Sequence, residues 1–420
     1  TSSGDCNGTR SVHALTLPAD VTTSGESVEI GSNTYYASNT AVTLGYSQAV
    51  AQQITYHYND GSDHDITGNT FTMPASDVTI SVTFTTAWSG GGSSDNPYLI
   101  ITTDQLDLLA KMVNGTNGYT ANKFRDTYFR LDNDITYTHT TEWNDANSTE
   151  DNYTAIGKYH HSFGGVFDGG DHTISGIRIY MSGSDDVDNL QGLFGVTFDG
   201  TVKNVTLTDA RITGYKEVGG IIGEKNYGLV ENCHVTNTVA IHAVVNNSWL
   251  HGGIVGYSIN GSNDKIRRCT SAATISIADG LSGCGNNGGI VGQQDKGTIE
   301  NCLASGANVS GNSNVGAIVG YDDKGTYTSN YYHGCTVNGT INATNVGIGS
   351  GDQSGARSVH TLTLSSGITA TGESIEISST TYYAAGTTVT LGYTGTVSAN
   401  QIVVYSVGTE VLSGNSFTMT

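Results

Sequence analysis

The chain repeats itself on two scales, and a chain built that way folds as a series of like units. The short repeat fills the middle. Gly192-Leu193-Phe194-Gly195 is followed by Gly219-Gly220-Ile221-Ile222-Gly223, Gly252-Gly253-Ile254-Val255-Gly256, Gly288-Gly289-Ile290-Val291-Gly292 and Gly316-Ala317-Ile318-Val319-Gly320. From last glycine to last glycine the steps are 28, 33, 36 and 28 residues. A second motif keeps the same phase: Val202-Lys203-Asn204-Val205, Val230-Glu231-Asn232-Cys233, Ile266-Arg267-Arg268-Cys269 and Ile299-Glu300-Asn301-Cys302. A unit this short, with two or three short strands, cannot bury a face alone, whereas stacked units can. The predicted fold is all-β: a right-handed parallel β-helix, one coil per repeat, over residues 163–348. About six coils at the ~4.8 Å strand spacing make a stack of roughly 29 Å. Gly195, Gly223, Gly256, Gly292 and Gly320 are expected at the corners, where glycine permits positive φ.

The long repeat joins the two ends. Arg10-Ser11-Val12-His13 returns as Arg357-Ser358-Val359-His360, an offset of 347 residues. At that offset Gly25-Glu26-Ser27-Val28 meets Gly372-Glu373-Ser374-Ile375, and Thr34-Tyr35-Tyr36-Ala37 meets Thr381-Tyr382-Tyr383-Ala384. Apolar and polar residues alternate in these segments, the signature of half-buried strands. Residues 1–86 and 349–420 are therefore read as two small antiparallel β-modules flanking the solenoid. The first closes with an alternating strand, Val78-Thr79-Ile80-Ser81-Val82-Thr83-Phe84, and the second stops at Thr420 before its counterpart. The expectation is that chain continuing past Thr420 supplies this strand. The alternative is a strand donated by another chain.

Residues 87–97, with Trp88-Ser89-Gly90-Gly91-Gly92-Ser93-Ser94, read as a flexible linker. Residues 98–162 read as the N-terminal cap of the solenoid, holding a short helix at 103–113 with Leu106, Leu109, Met112 and Val113 at helical spacing. Thr102 or Thr103 is its expected N-cap, and Asn114-Gly115 its stop.

Composition excludes several functions. With 17 Lys+Arg against 38 Asp+Glu, the net charge is −21. Such a chain cannot neutralise many phosphates, which argues against nucleic acid as a partner. No apolar run approaches the ~18 residues of a membrane span, so no membrane insertion is expected in this segment.

Candidate sites have bland readings beside the functional ones. Asp168, Asp171 and His172 could form the acid/base group of a polysaccharide-acting enzyme, but Asp-Gly and Gly-Asp are also turn dipeptides. Asp185, Asp186 and Asp188 offer hard oxygen ligands without a calcium-loop spacing. Arg267 and Arg268, adjacent on a strand, should point to opposite faces. Cys233, Cys269 and Cys302 share one coil position and are expected to stack as buried free thiols. In each of the pairs Tyr35-Tyr36 and Tyr382-Tyr383 one ring should face the core and the other be free to stack on a sugar or a neighbouring chain. No cofactor and no metal is expected.

The Gly-Gly-Ile-Val-Gly series with its Ile-Glu-Asn-Cys strands resembles the GLUG motif of bacterial surface proteins. The stretch before it, with Asn96-Pro97-Tyr98-Leu99-Ile100, Leu131-Asp132-Asn133-Asp134-Ile135 and Gly164-Gly165-Val166-Phe167-Asp168-Gly169, also resembles such proteins. The modules, on Ser27 to Tyr46 and Phe71-Thr72-Met73-Pro74-Ala75-Ser76-Asp77-Val78, resemble internalin-B-type or immunoglobulin-like bacterial repeats, without their Gly-Tyr-x-Phe-x-x-Trp centre. The resemblance implies a large extracellular, adhesin-like protein whose motif carries no chemistry. The function expected is a non-catalytic structural or adhesive segment of a cell-surface stalk or fibre. Its implied partners are other copies of itself, glycans, or a host or neighbouring surface protein. The alternative is a β-helix lyase or glycoside hydrolase. A third reading, an ice-binding helix, needs Thr-x-Thr ranks in successive coils, and Thr136-Tyr137-Thr138 lies outside them.

Overall fold

The structure is a computed structural model describing residues 9–184, 189–259, 261, 264–340, 355–377, 379–398 and 401–420. It is essentially all-β. By packing it divides into two compact units: the chain up to Asn133 with Thr154–Val166, and Asp134–Tyr153 with the chain from Phe167 onward.

In the first unit the N-terminal module pairs its strands in the order Ser27–Ile30, Asn33–Ala37, Val12–Thr16, Val78–Thr86, Gln52–Asn59 and Asp63–Asp65. A second small sheet joins Val21–Gly25, Ala41–Tyr46 and Thr70–Thr72. Between them lie Val42, Leu44, Tyr56, Met73 and Val78. The strand Val78–Thr86 is central: it runs parallel to Leu15–Thr16 and antiparallel to the whole of Gln52–Asn59. The helix α1 runs Thr103–Asn114, capped by the Thr102 hydroxyl at the Gln105 amide and ended by Gly115 at φ 62°. Leu106, Leu109, Met112 and Val113 form its buried stripe.

The expected linker is packed rather than flexible. Trp88 is only 1% exposed and sits edge-on to Phe124 and Phe129. Its Nε1–H donates to the Gln105 carbonyl at 3.2 Å. Gly90 is needed for close approach, since a Cβ there would lie 1.9 Å from the Pro97 oxygen. One buried indole converts a glycine-serine stretch into a fixed turn.

The second unit is the parallel β-helix. A coil holds five short strands where two or three were expected: Phe194–Phe198, Thr201–Lys203, Thr206–Thr208, Ala210–Thr213 and Lys216–Gly219, after which Ile222–Asn226 opens the next. Each pairs in parallel with its counterpart one coil on, so like positions stack. The second rank carries Val202, Val230, Ile266, Ile299 and Tyr327 inward. The fourth stacks Ile179, Ile212, Ile241, Ile275 and Val309. The C-terminal module continues the third rank. Ala356–Ser358 pair in parallel with Asn330–Tyr332, and the same strand then pairs antiparallel through Val359–Thr361 with Tyr382–Ala384. In that module Ile402 and Val404 are 86% and 59% exposed, near the positions where Ile54 and Tyr56 of the first copy are buried under Val78–Thr86.

The glycines act differently from expectation. Gly223, Gly256, Gly292 and Gly320 are absent from the positive-φ residues, and Gly195 is simply buried in the first rank. Their role is close approach of neighbouring coils: a Cβ on Gly256 would meet Val218 N at 2.5 Å, Glu217 C at 2.6 Å and Gly223 O at 2.7 Å, all backbone. The left-handed corner after the second rank belongs instead to Asn204, Asn232, Arg268, Asn301 and Ser329, at φ between 50° and 55°, while other glycines, such as Gly228 and Gly297, hold positive φ just before that rank. Asparagine tolerates that region better than most residues.

Gly256→Ala should therefore cost about 3 kcal/mol or more, because backbone must shift. Gly280→Ala, at φ 80° with nothing within 4 Å, should cost only about 1–2 kcal/mol. Denaturant unfolding of both variants checks this; equal losses would contradict the close-approach role.

Candidate functional site

The left-handed corner brings the second-rank motif and the cysteines into a fixed relation. Asn232 donates through Nδ2 to Asn204 Oδ1 at 3.0 Å, and Asn204 donates to Asp168 Oδ1 at 2.9 Å. This side-chain ladder runs along the corner. The residue after each corner points inward: Val205, Cys233, Cys269 and Cys302 are all 0% exposed. The three thiols are free, as are Cys284 and Cys335, and they donate weakly to backbone carbonyls, Cys233 to Glu231 O at 3.4 Å and Cys302 to Glu300 O at 3.5 Å. Burial pushes the Cys233 and Cys302 thiols up. Cys6 lies outside the described residues.

The proposed acid/base trio is divided among structural partners. Asp168 also accepts from the Gly170 amide at 3.0 Å and pairs with Lys203 at 3.2 Å. Burial opposes its ionisation, but those bonds outweigh it and hold the carboxyl below the usual carboxylate range. Asp171 sits at a left-handed corner with Oδ1 3.4 Å from Asn232 Nδ2, and His172 Nδ1 lies 3.2 Å from Asp134 Oδ1. Asp185, Asp186 and Asp188 lie outside the described residues. No group of three or more His, Cys, Asp or Glu among the described residues could hold a metal ion.

Arg267 and Arg268 do not point to opposite faces. Both reach Glu231, Arg267 Nε at 2.8 Å and Arg268 through Nη2. The cause is the left-handed turn at Arg268, which breaks strand alternation. Along this rank Lys203, Glu231, Arg267 and Glu300 stand in register with alternating charge.

Tyr36 and Tyr383 are each 6% exposed and join their module cores, while Tyr35 and Tyr382 are half-buried on the other side. Tyr382 borders a groove of about 940 Å³ on the outer side of the third rank. Its floor is Thr206, His234, Thr270 and Leu303, one residue per coil in register. Asn232, Arg268 and Asn301 form one wall, and Ile375, Glu376 and Tyr382 of the C-terminal module border it as well. His234 Nδ1 is bonded to the Thr270 hydroxyl at 2.7 Å, and burial lowers its pKa, so it stands neutral near pH 7. A trough whose amides, hydroxyls and one guanidinium stand beside the apolar Leu303 and Ile375, bordered by a tyrosine, suits an extended ligand with both polar and apolar faces.

Sequence pattern missed a set of polar side chains in buried positions. In the first rank Thr197, Lys225, Ser258 and Gln294 stack in register at 1% exposure or less. Burial brings the Lys225 ammonium down to about 8. His251, 1% exposed, faces Asn287 with Nδ1 3.1 Å from Oδ1. His242, 6% exposed, pairs with Ser276 at 2.8 Å. Burial lowers both imidazoles to about 4, and Arg211 adds to the effect at His242. Thr197, Lys225, Ser258 and Gln294 keep the coil period, each two residues past Gly195, Gly223, Gly256 and Gly292, but their polar identity gives no sign of burial.

Two predictions follow from the buried groups. Cys233, Cys269 and Cys302 should resist a maleimide in the native chain and react once it is unfolded; a Cys233–Cys269 crosslink in non-reducing mass spectrometry would contradict the free ladder. For His242 and His251 the unfolded chain binds more protons between pH 4 and 6.5. Stability is therefore complete above pH 6.5 and falls as the pH drops towards 4, by about 2–3 kcal/mol for each histidine. His251→Gln should remove part of that acid sensitivity in unfolding measured at pH 7.5 and 4.5; an unchanged difference would count against it.

No family model matches the sequence. Over 182 residues, 41% of the chain, it is 35% identical to Halomucin of Haloquadratum walsbyi, and the match spans 2% of that protein. Among solved structures, a Bacteroides ovatus chain provisionally named an immunoglobulin A1 protease aligns with 64% of this chain and 86% of its own, at 22% identity and a TM-score of 0.39.

Proposed function

We propose that this is a non-catalytic extracellular structural and adhesive protein, a segment of a cell-surface stalk or fibre of the GLUG-motif kind. The observation that carries this reading is the strand Ala356–Thr361. Its first half extends the third rank of the solenoid and its second half belongs to the C-terminal module. Solenoid and following module thus share one hydrogen-bonded sheet. With the 347-residue recurrence, such a joint repeats at every period and links units without a loose hinge at that point. The relative Halomucin, matched over 2% of its length, is itself far longer than this chain. The acidic chain and the mixed polar and apolar groove suit weak contacts with glycans or surface proteins, made many times along an array. Asp168, Asp171 and His172, each held by its own partner, support the non-catalytic part.

Tandem fusions of one, two and three 347-residue periods should appear in electron micrographs as rods lengthening by a constant increment. Compact particles would refute the stalk. A glycan panel should show no turnover; turnover abolished by Asp171→Ala would favour the enzyme.

A further inference from the structure

The first strands of the two flanking modules share a set of equivalent bonds, which makes a difference in their surroundings informative. Arg10 pairs with Glu26 at 3.2 Å, as Arg357 does with Glu373 at 4.0 Å. The Ala37 amide donates to Glu26 O, and the Ala384 amide to Glu373 O. Thr40 donates to Ala37 O as Thr387 does to Ala384 O, and Asn69 to Leu44 O as Asn415 does to Leu391 O.

That difference lies on one face. In the first module Thr9, Arg10, Ser11 and Val12 are all exposed, with Val12 at 36% and Val28 at 44%. Their counterparts in the second are covered: Ala356 is 0% exposed, Val359 is 1%, and Ile375 is half-buried. The cover is the last coil of the solenoid. Ala356–Ser358 pair with Asn330–Tyr332, and Leu303 and Tyr331 pack against Val359, Ala384, Ile375 and Tyr382. Tyr331 Oη donates to Glu373 Oε1 at 3.3 Å, and His333 Nδ1 is bonded to Val359 O at 2.7 Å. Tyr331 and Tyr332 are only 3% and 8% exposed because one lies under the module and the other faces the solenoid core.

We infer that Thr9–Val12, Val28 and Tyr35 form a socket for the last coil of another solenoid of this repeat, standing before the module in the same polypeptide. The inference rests on the stalk reading and adds the joint by which one period seats on the next. In the seated state a leucine and a tyrosine equivalent to Leu303 and Tyr331 cover Val12 and Val28. The tyrosine hydroxyl reaches Glu26, and a histidine equivalent to His333 bonds the Val12 carbonyl. The occupant is not the last coil of a free second copy, because there Asn330–Tyr332 are already paired with that copy's own Ala356–Ser358.

The test is hydrogen exchange on the chain and on a fusion in which residues 1–350 run directly into residues 4–420, preserving the 347-residue period. In the single chain, peptides covering Thr9–Val12 should exchange as one fast population. In the fusion they should split into two equal populations, the inner copy slowed about tenfold or more. A single fast population in the fusion overturns the socket. Val28→Asp in the inner module should return the slow population to the fast rate while leaving the melting of the single chain unchanged; persistence of the slow population also overturns it. The two readings fail separately. Rods with only fast exchange retain the stalk and remove the socket, whereas protected but compact fusions support the socket and remove the stalk.

Discussion

Everything in the solenoid depends on the backbone ladder between coils. Strand amides and carbonyls are satisfied by the coil before and the coil after, as buried backbone must be. Register is thereby fixed, and whatever occupies a position meets its own counterpart about 4.8 Å away. That single condition explains several otherwise unrelated features. Isoleucine stacks on isoleucine in the fourth rank. Charges on the outside of the second rank alternate from Lys203 to Glu300, since like charges directly opposite would repel. Glycine holds the places where one coil's backbone presses on the next, and the ladder leaves no room for a methyl group there.

The parts of the fold that follow from periodicity were legible in the sequence. The glycine steps marked the coils, and the spacing of Leu106, Leu109 and Met112 marked α1. Physical roles were harder to read. A glycine at a corner can serve positive φ or close approach, and sequence cannot separate the two; at the corner after the second rank Asn204, Asn232 and Asn301 take the first role, while Gly223, Gly256, Gly292 and Gly320 take the second. Arg267 and Arg268 misled because alternation fails wherever a left-handed residue interrupts a strand. The stretch after Trp88 looked loose because its composition is that of a linker, and only the burial of one ring shows otherwise. Lys225 and His251 were hidden for a different reason: a buried polar residue in a repeat has the same spacing as an apolar one.

The groove illustrates how a surface feature can arise from two local rules. A rank of outward side chains repeats once per coil, and a left-handed corner beside it raises a wall of asparagine and arginine. The module that continues the rank borders it with Glu376 and Tyr382. None of the three elements is a binding motif alone. Their juxtaposition depends on the strand Ala356–Thr361 belonging to solenoid and module at once, so the same joint that unites solenoid and module also completes the groove.

The five-stranded coil also has a mechanical meaning. Each coil adds only about 4.8 Å along the stack, yet it stores 28 to 36 residues of chain. Pulled straight at ~3.3 Å per residue, that is roughly 90–120 Å of contour length, about twentyfold more than the coil occupied. Under tension along the stack every interface between coils carries the same load, and because each coil is held only by its neighbours, the weakest interface parts first. Parting one interface frees the length of one coil, so the stack holds a large reserve of contour in a short rod.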